Sequence, residues 1–342
     1  MESPGDTRPV GVNERRCLVL LDSTMSAFDD SRVILPHPTT LWAVTLKDAG
    51  ICPVEMVLAD AIDHRVTGGS VLYDHLCEVI DRFGPTHLLF CPPDRGGACL
   101  RFIQTLTRIK RRYPAMVQIA SWSDLQNEEI EIPEKYFGFI DAHVAMNIME
   151  IPDSVADPSV YIKLGQGFPD PRYFYDEGDP KLIPSIFMGS SIRYPIRRYL
   201  VKLLCENGMP TIIGGGFDSR SFLSTERYAF YYRNTRIAIN ITDESPLKIN
   251  CRPWETMLCN ALLIDHEVAG TSRFYTPGED YVTFSTYADL EEKVLYYLQH
   301  DDERRTIAWS GHQKTWERYS PEKAWTYILD EADRIAGSNS RS

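Results

Sequence analysis

Arg252 and Glu255 lie three residues apart in 248-KINCRPWETMLCNALLIDHE-267, bracketing a Pro-Trp pair at the head of an apolar run. A helix that starts here offers free N–H groups and partial positive charge, which suit a phosphate. Arg252 would add a bidentate clamp on such a phosphate, and Glu255 could accept two hydrogen bonds from a ribose diol. The plain alternative is a first-turn glutamate that favours the helix dipole, braced by an arginine. Two further stretches invite a close ligand approach. In 187-FMGSSIRYPIRR-198, Gly189 and Ser190 form a turn between strand and basic helix, with Arg193 or Arg197 able to reach phosphate. This is neither a dinucleotide fingerprint nor a Walker loop. In 214-GGG-216, Gly215 stands at a strand end, where glycine permits positive φ or a close backbone approach.

Asp22, Asp94 and Asp124 all fall at the ends of expected strands in the first half, where a carboxylate could act as a general base or orient a hydroxyl. Each can equally be an ordinary loop aspartate. The histidines show no metal-ligand spacing, and there is no G-x-S-x-G elbow.

The elements that must position these residues alternate strand and helix. In the first half the strands are CLVLL ending at Asp22, Val54–Leu58, His87–Cys91, one from Val117 leading into Ser121–Asp124, and short ones over Phe137–Asp141 and His143–Met146. Helices over Thr40–Ala49, Val71–Phe83 and Leu100–Arg112 separate them; Gly50 and Gly84 follow the first two as C-caps. GQGFPDPRYFYDEGDPKLIP, rich in Gly, Pro and Asp, reads as a linker. A second series follows: strands at 185–189, 211–213, 236–240 and 261–265, and helices at 196–207, 226–234, 253–260, 290–300, 302–316 and 321–335. Two parallel α/β domains of Rossmann type result, each expected to bind ligands at its strand carboxyl ends, with a cleft between them.

Bulk composition sets the bounds. A chain of 342 residues suits two domains rather than one. Net charge is −12, from 36 Lys+Arg against 48 Asp+Glu, a poor balance for a polyanion binder. 108-RIKRRY-113 is a candidate local basic patch, and its plain reading is the solvated end of a helix. Eight scattered cysteines without a C-x-x-C pair read as free thiols in a reducing cytoplasm, not as a zinc site. No run is long enough to span a bilayer, and the polar start shows no signal-peptide core.

Taken together, the second half resembles the CgeB-like glycosyltransferases, the spore-maturation-protein group of GT-B enzymes. The residues that carry this are Phe187-Met188-Gly189-Ser190 with Arg197 downstream, Tyr232 ahead of Ile237-Ala238-Ile239-Asn240, and Asn250-Cys251-Arg252-Pro253-Trp254-Glu255. Leu262–Asp265, Phe274-Tyr275-Thr276-Pro277-Gly278-Glu279 and 295-LYYLQHDDERRTIAWSG-311 continue it, so that it covers about 185–335. There are departures. A usual glycine is Asn260 here, a residue that tolerates the left-handed backbone. Leu247 stands where related retaining enzymes carry a second glutamate, and Arg318-Tyr319-Ser320 replaces a usual histidine-threonine-tyrosine.

The resemblance implies a GT-B architecture: two doubly wound Rossmann-like domains facing across a cleft. The implied boundaries are a tail at 1–15, an acceptor domain at 16–175, a nucleotide-sugar domain at 176–320, a helix at 321–336 packing back on the first domain, and a tail at 337–342. The implied activity is metal-independent transfer of a sugar from a nucleotide-sugar donor, expected to be a UDP-sugar, to an unidentified acceptor hydroxyl in the cytoplasm. Glu255 would hold the ribose. Arg252 and the helix N-terminus would hold the diphosphate with the Gly189-Ser190 turn and Arg197 or Lys248, and Gly215 and Asn250 complete the donor-binding set. Asp124 and Asp22 are the candidate bases. The acceptor could be a glycan, a small molecule or a protein. Rival readings are a nucleotide-sugar epimerase or hydrolase on the same scaffold, a non-catalytic nucleotide-sugar binding protein, and a DNA-modifying glucosyltransferase, against which the acidic charge argues.

Overall fold

A computed structural model describes residues 15–21, 44–59, 70–91, 97–122, 138–146, 150–151, 153, 155–164, 169–189, 195–214, 223–242, 249–268 and 270–339. The chain divides into two compact units: Met1–Gly165 with Pro321–Ser342, and Gln166–Ser320.

The first unit is built on a six-stranded parallel sheet. Its strands are β1 (Cys17–Leu21), β2 (Val54–Leu58), β3 (His87–Cys91), β4 (Val117–Trp122), β5 (Ala142–Ala145) and β6 (Tyr161–Lys163), in the order β2-β1-β3-β4-β5-β6. Helices α1 (Ser70–Phe83) and α2 (Gly97–Arg112) connect them. β1 is apolar throughout and β3 is apolar after His87, and both are buried along their whole length, as a strand covered on both faces must be. Residues 138–141 form turns, where a strand was expected. The reason is local. The Asp141 carboxylate accepts the Gln118 N–H at 2.7 Å while its own N–H reaches the Gln118 carbonyl at 2.9 Å, so Asp141 closes the edge of the ladder before β5 begins. β6 escaped the sequence reading because three residues give too short a pattern to detect.

The last helix, Pro321–Asn339, belongs to this unit and packs on β4, β5 and β6. Trp325 is fully buried and donates its indole N–H to Thr45 Oγ1 at 2.9 Å. Asp333 and Asp330 take the Arg15 guanidinium. The helix runs three residues into the expected tail, and Ser338 Oγ caps the Ile335 carbonyl at 2.7 Å.

The second unit is a five-stranded parallel sheet: β7 (Ile183–Met188), β8 (Thr211–Gly214), β9 (Thr235–Asn240), β10 (Leu262–His266) and β11 (Val282–Phe284), ordered β11-β10-β9-β7-β8. Counted from its own first strand, this is the same 2-1-3-4-5 order that begins the first sheet. Strand alternation sends Phe187, Ile237 and Ile239 to one core and Ile186, Met188 and Ala238 to the other, so both faces are covered. The helices around it are α3 (Pro195–Glu206), α4 (Thr225–Asn234), α5 (Arg252–Leu258), α6 (Tyr287–Gln299) and α7 (Asp301–Arg318). After α5 the chain turns through Asn260, at φ 52°, with its side-chain amide on Asp176 at 2.9 Å. The asparagine does fill the left-handed position usually given to glycine.

Candidate functional site

The strand order of the second sheet reverses between β7 and β9. Connections leave these neighbours in opposite directions, which opens a crevice at their carboxyl ends. β7 ends at Met188-Gly189 and β9 at Asn240. Arg252 spans that point. Its Nε donates to the Met188 carbonyl at 2.6 Å, and its Nη1 to Asn240 Oδ1 at 3.1 Å. Its Nη2 lies against Gly189, where a Cβ would come within 2.5 Å of it. A side chain at 189 would have to displace the guanidinium from that turn.

Asn240 is itself held. Its Nδ2 donates to Asp265 Oδ1 at 2.8 Å, and Thr271 Oγ1 donates to the other Asp265 oxygen at 2.5 Å. With the amide thus oriented, Asn240 Oδ1 faces both Arg252 and the Asn250 amide, which donates at 3.1 Å. Asn250 Oδ1 in turn accepts the Arg252 backbone N–H at 3.0 Å. Burial pushes the Asp265 carboxyl up to about 7, against the hydrogen bonds from Thr271 and Asn240. Arg252 therefore rests on neutral oxygens and makes no ion pair among the described residues. Burial opposes its charged form, and the surrounding electrostatics, with Glu255 nearby, more than offset that and keep the guanidinium charged. A cation supported only by neutral acceptors at a crevice leaves its charge for an anion.

Glu255 is buried one turn on. Tyr228 donates its hydroxyl to Glu255 Oε2 at 2.9 Å, and the Tyr228 and Tyr232 hydroxyls lie 3.1 Å apart, one turn apart on α4. Burial raises the Glu255 carboxyl above its ordinary range, while Cys251, Tyr228 and Arg252 pull the other way. A carboxylate has room for about four acceptor contacts, so these partners leave capacity for a diol.

The helix itself contributes less than its position suggested. α5 has only seven residues; Pro253 has no N–H, and the Arg252 N–H goes to Asn250. Side chains, rather than a helix dipole, dominate this site. α5 is fixed by Trp254, which is fully buried, with Phe274 at 5.2 Å, Tyr275 at 5.8 Å and Tyr319 at 6.0 Å around its ring. On α7, Gly311 lies against Met257 and the Asp280 carbonyl, where a Cβ would meet that oxygen at 2.5 Å.

Of the residues expected from sequence to form a site, Gly189, Asn250, Arg252 and Glu255 lie in this neighbourhood of the fold. Arg197 is buried on α3 and donates Nε to the Ile241 carbonyl at 2.9 Å, so it braces the exit of β9. Ser190, Gly215, Lys248, Asp22 and Asp124 lie outside the described residues, as does Asp94. The sequence reading did not single out Asn240, Asp265 or Tyr228 as site residues. The signal for the first was available: a polar residue closing an apolar strand, like Asp22.

Residues 197–330 match the model of a family described as glycosyl transferase-like. Comparison with curated proteins returns no match. Among solved structures, HepE of Anabaena, crystallised with UDP and glucose, is similar with a TM-score of 0.56 at 10% identity, over 96% of this chain and 100% of that one. A glycosyltransferase from Rickettsia africae gives 0.55 at 12% identity, over 94% and 98%. Sucrose-phosphate synthase from Thermosynechococcus elongatus gives 0.52 at 11%, over 96% and 100%. At such identities the likeness carries the fold, which is GT-B. Within that fold, residues 197–330 are the part similar to the glycosyl transferase-like family. No helix among the described residues is long and apolar enough to cross a membrane.

Proposed function

We propose that this protein is a glycosyltransferase of the CgeB-like group that moves a sugar from a UDP-sugar to an acceptor hydroxyl. The observation that carries the reading is Arg252: a half-buried cation on neutral oxygens, spread across the carboxyl ends of β7 and β9. In this reading the donor diphosphate pairs with Arg252 over the Gly189-Ser190 turn, with Lys248 and Gly215 on the same side. Asn250 and Asn240 keep the guanidinium in place, Arg197 steadies the strand exit, and Glu255 accepts the ribose diol. Negative charge grows on the diphosphate as the glycosidic bond breaks, so a preorganised cation stabilises the transition state more than the ground state. No metal is required by this scheme. The first unit takes the acceptor and, in an inverting mechanism, supplies Asp124 or Asp22 as base.

HepE, in its structure with UDP and glucose, supports the choice of donor. Calorimetric titration with UDP, GDP, ADP, CMP and dTDP tests it. UDP alone should bind, and Glu255→Ala should weaken it by about tenfold or more, the loss of hydrogen bonds to a charged acceptor. Equal UDP affinity in both chains would remove the ribose role and with it the donor site as drawn here.

A further inference from the structure

The cysteines of this chain were expected to be scattered free thiols, and two of them lie side by side. Cys17 opens β1, and Cys52 stands in the turn before β2. Their sulfurs lie 3.4 Å apart, 35 residues apart in sequence. The Cys17 N–H donates to the Pro53 carbonyl at 2.9 Å, which fastens the turn to the start of the strand and holds the thiols side by side. Cys17 is buried and Cys52 half-buried, so one sulfur is reachable from solvent and the other waits behind it. Cys77, Cys91 and Cys259 are buried, and Cys205 is exposed.

We propose that Cys17 and Cys52 are a redox dithiol, which low-molecular-weight disulfides close to an intramolecular disulfide. Cys52 is the attacking group. Its thiol is lowered by the contact with Cys17 and by the charge of Arg15, whereas that contact and burial raise Cys17. The Cys52 thiolate attacks one sulfur of the small disulfide, forms a mixed disulfide and expels the first thiolate, which takes up a proton. Cys17 then gives up its proton, attacks the Cys52 sulfur and expels the second thiol. Two protein thiols are oxidised and one small disulfide is reduced to two thiols. The new bond ties the start of β1 to the turn before β2 and closes the chain between them, which restricts the unfolded state and should raise resistance to unfolding. The inference is independent of any sugar chemistry.

The test is to treat the full chain with oxidised glutathione at neutral pH, block residual thiols, and read intact mass and linked peptides. Before blocking, wild type should lose about 2 Da, the two thiol hydrogens of a closed disulfide; after it, Cys17 and Cys52 should appear in one linked peptide pair, and the oxidised chain should melt at a higher temperature than the reduced one. Cys52→Ser should leave Cys17 unmodified, and Cys17→Ala should stop with glutathione held on Cys52. Stable glutathione on Cys52 in wild type would overturn the proposal, and so would modification of exposed Cys205 with Cys17 and Cys52 still unlinked. The wild-type and Cys52→Ser arms decide this even if the buried Cys17→Ala substitution prevents folding.

Discussion

Two arginines, a buried one in the first unit and a half-buried one in the second, are held in opposite ways. Arg15, in the first unit, bonds Asp333 through Nε at 2.9 Å and Nη2 at 2.6 Å, and Asp330 through Nη2 at 2.7 Å. His87 completes the cluster, with Nε2 3.0 Å from Asp333. Its charge is spent inside the fold, fastening the last helix to the unit. Arg252, in the second unit, sits on a carbonyl and an amide oxygen, which orient the guanidinium without neutralising it. The Asp265 carboxyl that could have paired with it is set one residue back, behind Asn240. Burial of a charge therefore does not mark a site; the nature of its partners does.

That contrast can be broken most directly by removing each arginine. Arg15→Leu strands the Asp330–Asp333 pair and should cost the first unit about 3–5 kcal/mol, read by denaturant unfolding, with UDP binding by the second unit unchanged. Arg252→Leu should reverse the pattern. UDP affinity falls about 100-fold, close to 3 kcal/mol for a charge-assisted contact, and stability changes less. If Arg252→Leu unfolds the protein while binding survives in what remains folded, the two arginines are alike and the anion site is lost.

The units should also answer pH with opposite signs. Asp265 is raised to about 7 when folded, so the native state binds the extra proton. Stability then falls as pH climbs from about 4 to 7, by up to about 1.4 kcal/mol per unit of pH. His143, buried in β5 and accepting the Trp122 indole N–H at 3.0 Å, is lowered by burial to about 3. There the unfolded state binds the extra proton. Its stabilisation is full above about 6.5 and drains away as pH falls toward 3. Hydrogen exchange followed by peptide should show β10 protection rising and β5 protection falling on acidification; Asp265→Asn should flatten the first slope alone.

A smaller test sharpens the geometry at the crevice. Gly189→Ala pushes a methyl group into the Arg252 guanidinium and should weaken UDP binding about tenfold without loss of fold, as measured by titration and melting. The smallest effect is expected from Tyr228→Phe, which removes one hydroxyl from Glu255 at 2.9 Å. About 1 kcal/mol, or roughly fivefold in affinity, is the ordinary scale for such a bond. The same substitution leaves the Arg252 contacts intact, so a larger loss would place Tyr228 on the ligand itself.

Sequence by itself determined the α/β class and most of the elements. Apolar runs such as HLLFC and LLID are too short for helices and, bounded by turn residues, read as buried parallel strands. It also brought Arg252 and Glu255 forward, because their three-residue spacing is local and survives in one short helix. The Phe137–Asp141 strand was misread because its apolar residues mimic a strand while Asp141 spends its carboxylate on Gln118. Tertiary structure decided what no spacing could show: the strand order that reverses between β7 and β9, and the meeting of Met188, Asn240 and Arg252 there. It also decided that Arg197 turns inward to Ile241, and that the last helix returns to a sheet begun some three hundred residues earlier, where Arg15 meets Asp333 across a sequence separation of 318. Periodicity and spacing report on neighbours along the chain. A cation's partners are chosen across it, and here they separate a fold-closing ion pair from a site.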